Sequence, residues 1–236
     1  MKRNTAVITG ATQGIGRAIA EKFLKEGWDI AICARSSHDL KSLQLKWQLQ
    51  YPNARVVAIV TDMEHIDQVL SFAEKVLHEF EAINVLVNNA GLFLPGTLAD
   101  EPQGLLERLM SINLYSAYHL TRFLLPSMKK NKAGHIFNMC SVASLRAYEN
   151  GGAYSITKYA LQGFSDNLRM ELIPDSIKVT SIMPGATWSR SWEGAPIDKS
   201  QLMTPEDIAT LVWTASQLSP QANVEQIVIR PLKGDI

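Results

Sequence analysis

The sequence predicts an α/β fold with one open parallel sheet of about seven strands and helices on both faces. Three observations predict it. Seven short apolar runs alternate with longer helical patterns along the 236 residues. The runs are rich in Val and Ile and are apolar on both sides of their alternation, as strands buried on both faces should be. A glycine-rich turn follows the first run and opens the first helical pattern. Strict alternation of strand and helix argues for parallel pairs joined by helical crossovers. A β/α barrel would share the alternation, but seven strands and the glycine turn weigh against it.

The elements follow in chain order. The first strand, Thr5–Thr9, runs straight into the glycine turn, and a helix over 15–26 follows. The second strand, Asp29–Ala34, ends at Arg35-Ser36-Ser37, and a helix is read over 39–50. The third strand, 55–60, leads to Thr61-Asp62-Met63 and a helix over 66–80. The fourth, 83–87, leads to Asn88-Asn89-Ala90-Gly91. One long helical pattern covers 105–130 and contains Asn113, where an asparagine is locally unfavourable. The fifth strand, 134–138, precedes Ser141, and a helix over 153–173 carries Tyr154 and Lys158. The sixth, 178–183, ends at Pro184-Gly185-Ala186-Thr187. A stretch of weak periodicity, 187–203, holds Trp188, Trp192, Pro196 and Met203. Thr204-Pro205-Glu206-Asp207 is a helix start, with an N-cap, a proline at the first position and early acids. That helix, Pro205–Ser216, precedes the last strand, Gln226–Ile229. The whole is read as a single domain over residues 1–236 with a mobile lid at 187–203.

Composition narrows the function classes. Hydrophobic residues are 46% and charged residues 19%, which is globular. Lys plus Arg equals Asp plus Glu, 23 each, so a nucleic-acid or anionic-membrane partner finds no basic excess. The N-terminal apolar run is too short for a signal peptide, and no stretch approaches the ~20 apolar residues of a membrane span. Cys33 and Cys140 are far apart and make no disulfide framework. The expected location is cytoplasmic. His38, His65, His78, His119 and His135 have no ligand-like spacing, so no metal is expected.

Ligands of such sheets bind beyond the carboxyl ends of the strands, so the residues after each strand are the candidates. Gly10, Gly14 and Gly16 would let a pyrophosphate approach the backbone, against the free N–H groups of a helix N-terminus. The same turn could be only a connection, but it sits in a β-α-β unit. Thr9-Gly10-x-x-x-Gly14-x-Gly16 resembles the cofactor signature of the short-chain dehydrogenase/reductase (SDR) family. Asn88-Asn89-Ala90-Gly91, Asn113, Ser141, Tyr154-x-x-x-Lys158 and Pro184-Gly185 supply that family's other marks in order, over almost the whole chain.

The resemblance implies a Rossmann-type, doubly wound sheet of strand order 3-2-1-4-5-6-7. It implies a nicotinamide dinucleotide held by Gly10, Thr12, Gln13, Gly14, Ile15, Gly16, Asp62, Met63, Asn89, Ala90, Gly91, Pro184, Gly185 and Thr187, with Tyr154 and Lys158. Asp62 would contact adenine, or it could cap the next helix. Either Thr187 or Ser189 would reach the carboxamide. A carboxylate at the end of strand two would repel a 2′-phosphate, and none is there. Arg35 can grip that phosphate and Ser36 can add a hydroxyl, unless Arg35 is a solvated surface charge. NADP(H) is therefore expected over NAD(H). Gln13 departs from the pattern, because many members with this preference carry a basic residue there.

Tyr154 and Lys158 are four residues apart on one helix and share a face. A nearby ammonium should lower the phenol pKa from its usual value of about 10. The resemblance makes Tyr154 the proton donor or acceptor, Ser141 the group that holds the substrate oxygen, and Asn113 the holder of a relay water behind Lys158. Ser144 is a rival to Ser141. The implied reaction moves a hydride between nicotinamide and a carbonyl or alcohol carbon, most simply in the direction of reduction. A 3-oxoacyl thioester, a diketone, a pteridine or a sugar carbonyl are all admissible substrates, although the tail after the last strand lacks the glycine-rich ending of many 3-oxoacyl reductases. The rival class is a non-catalytic NADP(H)-binding redox sensor, which would not need all four of Asn113, Ser141, Tyr154 and Lys158. The helices at 105–130 and 153–173 resemble the family's dimer-forming helices, so a homodimer or homotetramer is expected.

Overall fold

A computed structural model describes residues 3–194 and 197–234. Its centre is a seven-stranded sheet in the order β3-β2-β1-β4-β5-β6-β7. The strands are β1 Thr5–Thr9, β2 Asp29–Ala34, β3 Val56–Val60, β4 Val85–Asn88, β5 Gly134–Met139, β6 Ile177–Pro184 and β7 Gln226–Ile229. Every pairing is parallel. The helices are α1 Gly14–Lys25, α2 Ser37–Gln50, α3 Ile66–Glu79, α4 Leu105–Met110, α5 Ser116–Asn131, α6 Gly152–Leu172 and α7 Pro205–Ser216.

The doubly apolar strands have a direct cause. Ile8, Ile30 and Ile32 point into a core shared with Phe23 of α1, Trp47 of α2 and Val212 of α7. Their neighbours Val7 and Ala31, with Leu86 of β4, point the other way, into a core with Phe72 of α3, Leu124 of α5 and Leu168 of α6. Successive side chains thus meet opposite helical layers, and both must be apolar.

Strand order reverses between β1 and β4, so a crevice opens at their carboxyl ends. Thr9 and Asn89 hold its floor together. The Thr9 hydroxyl accepts from the N–H groups of Asn89 and Ala90 at 3.0 and 2.9 Å. The Asn89 amide donates back to the carbonyls of Thr9 and Gly10 at 2.8 and 3.2 Å.

One expectation needs correction. The pattern at 105–130 is not one regular helix: a π turn, Ser111–Tyr115, separates α4 from α5. There the Ser116 N–H reaches the Ser111 carbonyl, five residues back. The segment at 187–203 has pinned ends. Thr187 and Met203 form a parallel bridge, and the Trp188 N–H donates to the Met203 carbonyl at 2.9 Å. Short 3-10 turns lie between, at Arg190–Trp192 and Lys199–Gln201. Pro196 lies outside the described residues.

Candidate active site

The glycine loop fits a bound dinucleotide. Gly10 has φ +65° and Gly14 φ +53°, which side chains rarely tolerate. A Cβ on Gly10 would stand 3.0 Å from Ala90 Cα, and one on Gly16 would collide with the Asn89 amide. The loop therefore packs flat on the turn after β4. Gln13 caps α1 through its backbone alone, and no acid occupies the first turn, so nothing in α1 opposes an anion there. Thr12 is half-buried, Gln13 exposed, and Ile15 reaches the wall of the adjoining cavity.

Beside it, Arg35 is exposed and makes no ion pair or side-chain hydrogen bond among the described residues. Ser36 caps α2, its hydroxyl oxygen accepting from the Asp39 N–H at 3.1 Å. Asp62 does not cap α3, whose N-cap is His65. Its carboxylate accepts instead from the Glu64 N–H at 3.1 Å. The Met63 side chain is buried, with its sulfur 3.8 Å from the Cys33 thiol, so only its backbone can face a ligand.

A cavity of about 530 Å³ adjoins the loop. Ser141, Tyr154 and Lys158 line it, together with Phe93, Tyr148 and Trp192. Asn89, Gly91, Pro184, Gly185, Thr187 and Ser189 border the same space. The Thr187 hydroxyl donates to the Gly185 carbonyl at 3.0 Å.

Ser141 begins the 3-10 turn Val142–Ser144, and its oxygen accepts from the Ala143 N–H at 3.1 Å. Ser144 is not a second candidate for the substrate oxygen. Its hydroxyl donates to the Lys158 carbonyl at 2.9 Å and accepts from the Ser141 N–H at 3.3 Å. It ties Ser141 to Lys158.

Tyr154 stands in the first turn of α6, its hydroxyl end enclosed and its ring edge-on to Phe93 at 4.9 Å. The expected lowering of its pKa is not found. Burial pushes the phenol up to about 12, and the hydrogen bond from Ser141 offsets only part of this. Lys158 stands 5.6 Å from the Tyr154 ring centre but donates to the Met139 carbonyl at 2.8 Å. Burial pushes its own pKa down to about 8. The chain's own groups thus favour a protonated phenol.

Asn113 is buried in the π turn. Its Oδ1 accepts from the Leu92 N–H at 2.7 Å, and its Nδ2 donates to the Leu92 carbonyl at 3.0 Å and to Thr157 Oγ1 at 2.9 Å. The side chain binds the loop after β4 to α6. A water relay there would use the second lone pair of Oδ1 or the main chain. Gly91 packs closely here: a Cβ would stand 3.3 Å from Asn113 Oδ1, which would have to give by a few tenths of an ångström, and 3.5 Å from Lys158 Nζ, an ordinary contact.

Sequence reasoning missed Glu101, whose carboxylate accepts from the Ala153 N–H at 2.8 Å at the start of α6. It also missed Arg146 in the cavity wall and Thr157 behind Asn113. No described group of three His, Cys, Asp or Glu could hold a metal, and no described helix is long and apolar enough to cross a membrane.

Residues 4–198 match the model of the short chain dehydrogenase family. The chain belongs to this family. It is an SDR oxidoreductase. It is 31% identical to an uncharacterized oxidoreductase of Staphylococcus epidermidis over 98% of the chain and 99% of the relative. It is 30% identical to the sepiapterin reductase of Chlorobaculum tepidum, over 99% and 98%. The alcohol dehydrogenase of the archaeon Thermococcus sibiricus, solved with 5-hydroxy-NADP, superposes with a TM-score of 0.91 at 27% identity, over 98% and 97%. The L-sorbose reductase of Gluconobacter frateurii, solved with NADPH and L-sorbose, gives 0.88 at 27% identity, over 98% and 97%.

Proposed function

We propose that this SDR is an NADP(H)-dependent carbonyl reductase, acting on a small carbonyl compound with Tyr154 as the proton donor. The observation that carries the reading is the convergence of Ser141, Tyr154 and Lys158 on one cavity beside the glycine loop. NADP(H) fits the free Arg35 guanidinium and the absence of a carboxylate at the end of β2, and the Thermococcus and Gluconobacter relatives are solved with such cofactors. The cofactor supplies a hydride. Ser141 holds the carbonyl oxygen against the Tyr154 hydroxyl, which gives up its proton as charge develops there. A phenol whose pKa is pushed up to about 12 is stocked with that proton at neutral pH. Lys158 and the Asn113 region resupply it.

The substrate belongs to the range set by the sequence, a 3-oxoacyl thioester, diketone, pteridine or sugar carbonyl. The sepiapterin and L-sorbose reductases lend weight to the last two. The chain acts as one dinucleotide-binding and catalytic domain, with 187–203 as the lid over the substrate. A homodimer or homotetramer would bury the groove of about 970 Å³ between α5 and α6, where Tyr118, Leu125 and Phe164 meet solvent; size in solution checks this. A cytoplasmic location completes the reading, in keeping with the two free thiols, Cys33 and Cys140.

The test is oxidation of NADPH and, separately, NADH against a carbonyl panel. Turnover with NADPH should fall by about three orders of magnitude or more in Tyr154→Phe while NADPH affinity is kept. Full activity in that variant would remove Tyr154 from the chemistry. Tight NADPH binding without turnover across a broad panel would favour the redox sensor.

A further inference from the structure

The segment after β6 crosses the cofactor side of the molecule within two residues. Ser189 lies over the glycine loop: a Cβ on Gly14 would stand 3.3 Å from Ser189 Cβ and 3.9 Å from the Trp188 carbonyl. The next residue, Arg190, reaches the start of α2, with its guanidinium 3.7 Å from the Asp39 carboxylate. Asp39 is in the first turn of α2, and its N–H is bonded to Ser36. Arg35, Ser36, Asp39 and Arg190 therefore gather at one place, at the carboxyl end of β2. The segment is tied down behind this crossing by the bridge between Thr187 and Met203.

An exposed ion pair of this length contributes little by itself. Its placement says more. It brings a second arginine, from a different element, to the helix that follows Arg35. We propose that Arg190 is a second guanidinium for the 2′-phosphate of NADP(H), and that gripping this phosphate draws the segment at 187–192 down over the cofactor. The proposal rests on the NADP(H) reading above. Asp39 holds Arg190 in reserve. A phosphate monoester carries more charge than a carboxylate and matches the planar fork of arginine, so it displaces Asp39 from the pair. A cofactor without the 2′-phosphate gives Arg190 no such partner. One residue would then couple the choice of cofactor to the closing of the segment that also borders the substrate cavity.

The experiment is direct binding, by calorimetry, of NADPH, NADH, 2′,5′-ADP and 5′-AMP to the wild type and Arg190→Ala. The two adenosine probes differ in the 2′-phosphate and carry no nicotinamide, so catalysis does not enter. The expected result is a loss of about tenfold for NADPH and for 2′,5′-ADP, the scale of one charge-assisted contact, with NADH and 5′-AMP changed by less than about twofold. Unchanged NADH affinity doubles as the check that the variant is folded. Preference for the 2′-phosphate that survives in Arg190→Ala overturns the role of Arg190 and leaves the NADP(H) reading standing. Equal weakening of all four ligands also overturns it, because the residue would then be a general part of the lid. A wild type that binds NADH as tightly as NADPH overturns the cofactor reading, and this inference with it.

Discussion

Lys158 and Tyr154 show how one burial acts on two groups in opposite senses. A low dielectric disfavours charge, so it raises the phenol to about 12 and lowers the ammonium to about 8. The Tyr154 phenol stays protonated across the ordinary pH range, and the Lys158 amine does not. The rate of carbonyl reduction is therefore expected to be flat below neutrality and to fall as pH rises through about 8, where Lys158 loses its proton. The measurement is kcat against pH at saturating cofactor and substrate. A plateau unbroken to pH 10 would separate Lys158 from the proton supply. That Ser141, Tyr154 and Lys158 come together was legible in the sequence, because their spacing is a family mark, and the three line one cavity. The sign of the phenol shift was not. It depends on enclosure and on the Lys158 ammonium pointing at the Met139 carbonyl, and neither has a sequence signature.

Helix α6 carries Tyr154 and Lys158, the residues proposed for the chemistry, in its first two turns, so whatever fixes its N-terminus fixes their place. Gly151, its N-cap residue, offers no side-chain cap. Glu101, on the loop before α4, supplies one from outside by accepting the Ala153 N–H. That carboxylate also lies where a Cβ on Gly152 would be, so the contact is close and specific. Glu101→Ala is expected to cost about 1 kcal/mol of stability, as other lost N-caps do, and to lower kcat more than it raises KM. Glu101→Gln keeps an acceptor oxygen and should recover most of both. Urea melts beside steady-state kinetics provide the check, and equal kinetics in wild type and Glu101→Ala would deny the loop any hold on Tyr154. No local pattern announces a cap delivered from 52 residues away. The π turn at Asn113 was hidden for a related reason. The apolar face of 105–130 continues through it, and the only cue was an asparagine in a helix, a sign of a special position but not of its register.

At the scale of the whole molecule, the sheet divides the labour between its two ends. All strands run parallel, so their carboxyl ends collect the glycine loop, Asn89, Ser141 and the Pro184 turn. The amino ends are free to be purely structural, and there the sequence reading found no function. The strand alternation was legible because each strand faces two apolar layers; the strand order came from the family resemblance, and the pairings agree with it. His135, at the amino end of β5, shows what that end demands. It is 4% exposed, stacks on Phe137 at 3.9 Å and lies 2.7 Å from Thr180 Oγ1 on β6. The Thr180 hydroxyl donates to the Val224 carbonyl, so His135 Nε2 carries the proton and Nδ1 is left a bare acceptor without a partner among the described residues. Burial first, and the Lys178 ammonium second, push its pKa down to about 3. The unfolded chain takes up this proton near pH 6.5 and the folded one does not. Stability from this residue is therefore fully present above pH 6.5 and is lost as pH falls towards 3, by about 1.4 kcal/mol per unit of pH. In His135→Gln the acid limb of the stability curve should be shallower by that slope, whatever the variant costs at neutral pH. Urea midpoints at pH 7, 6 and 5 for the two proteins measure it. Parallel curves would mean that the imidazole is protonated inside the fold, and that the sheet at this end is looser than its packing indicates.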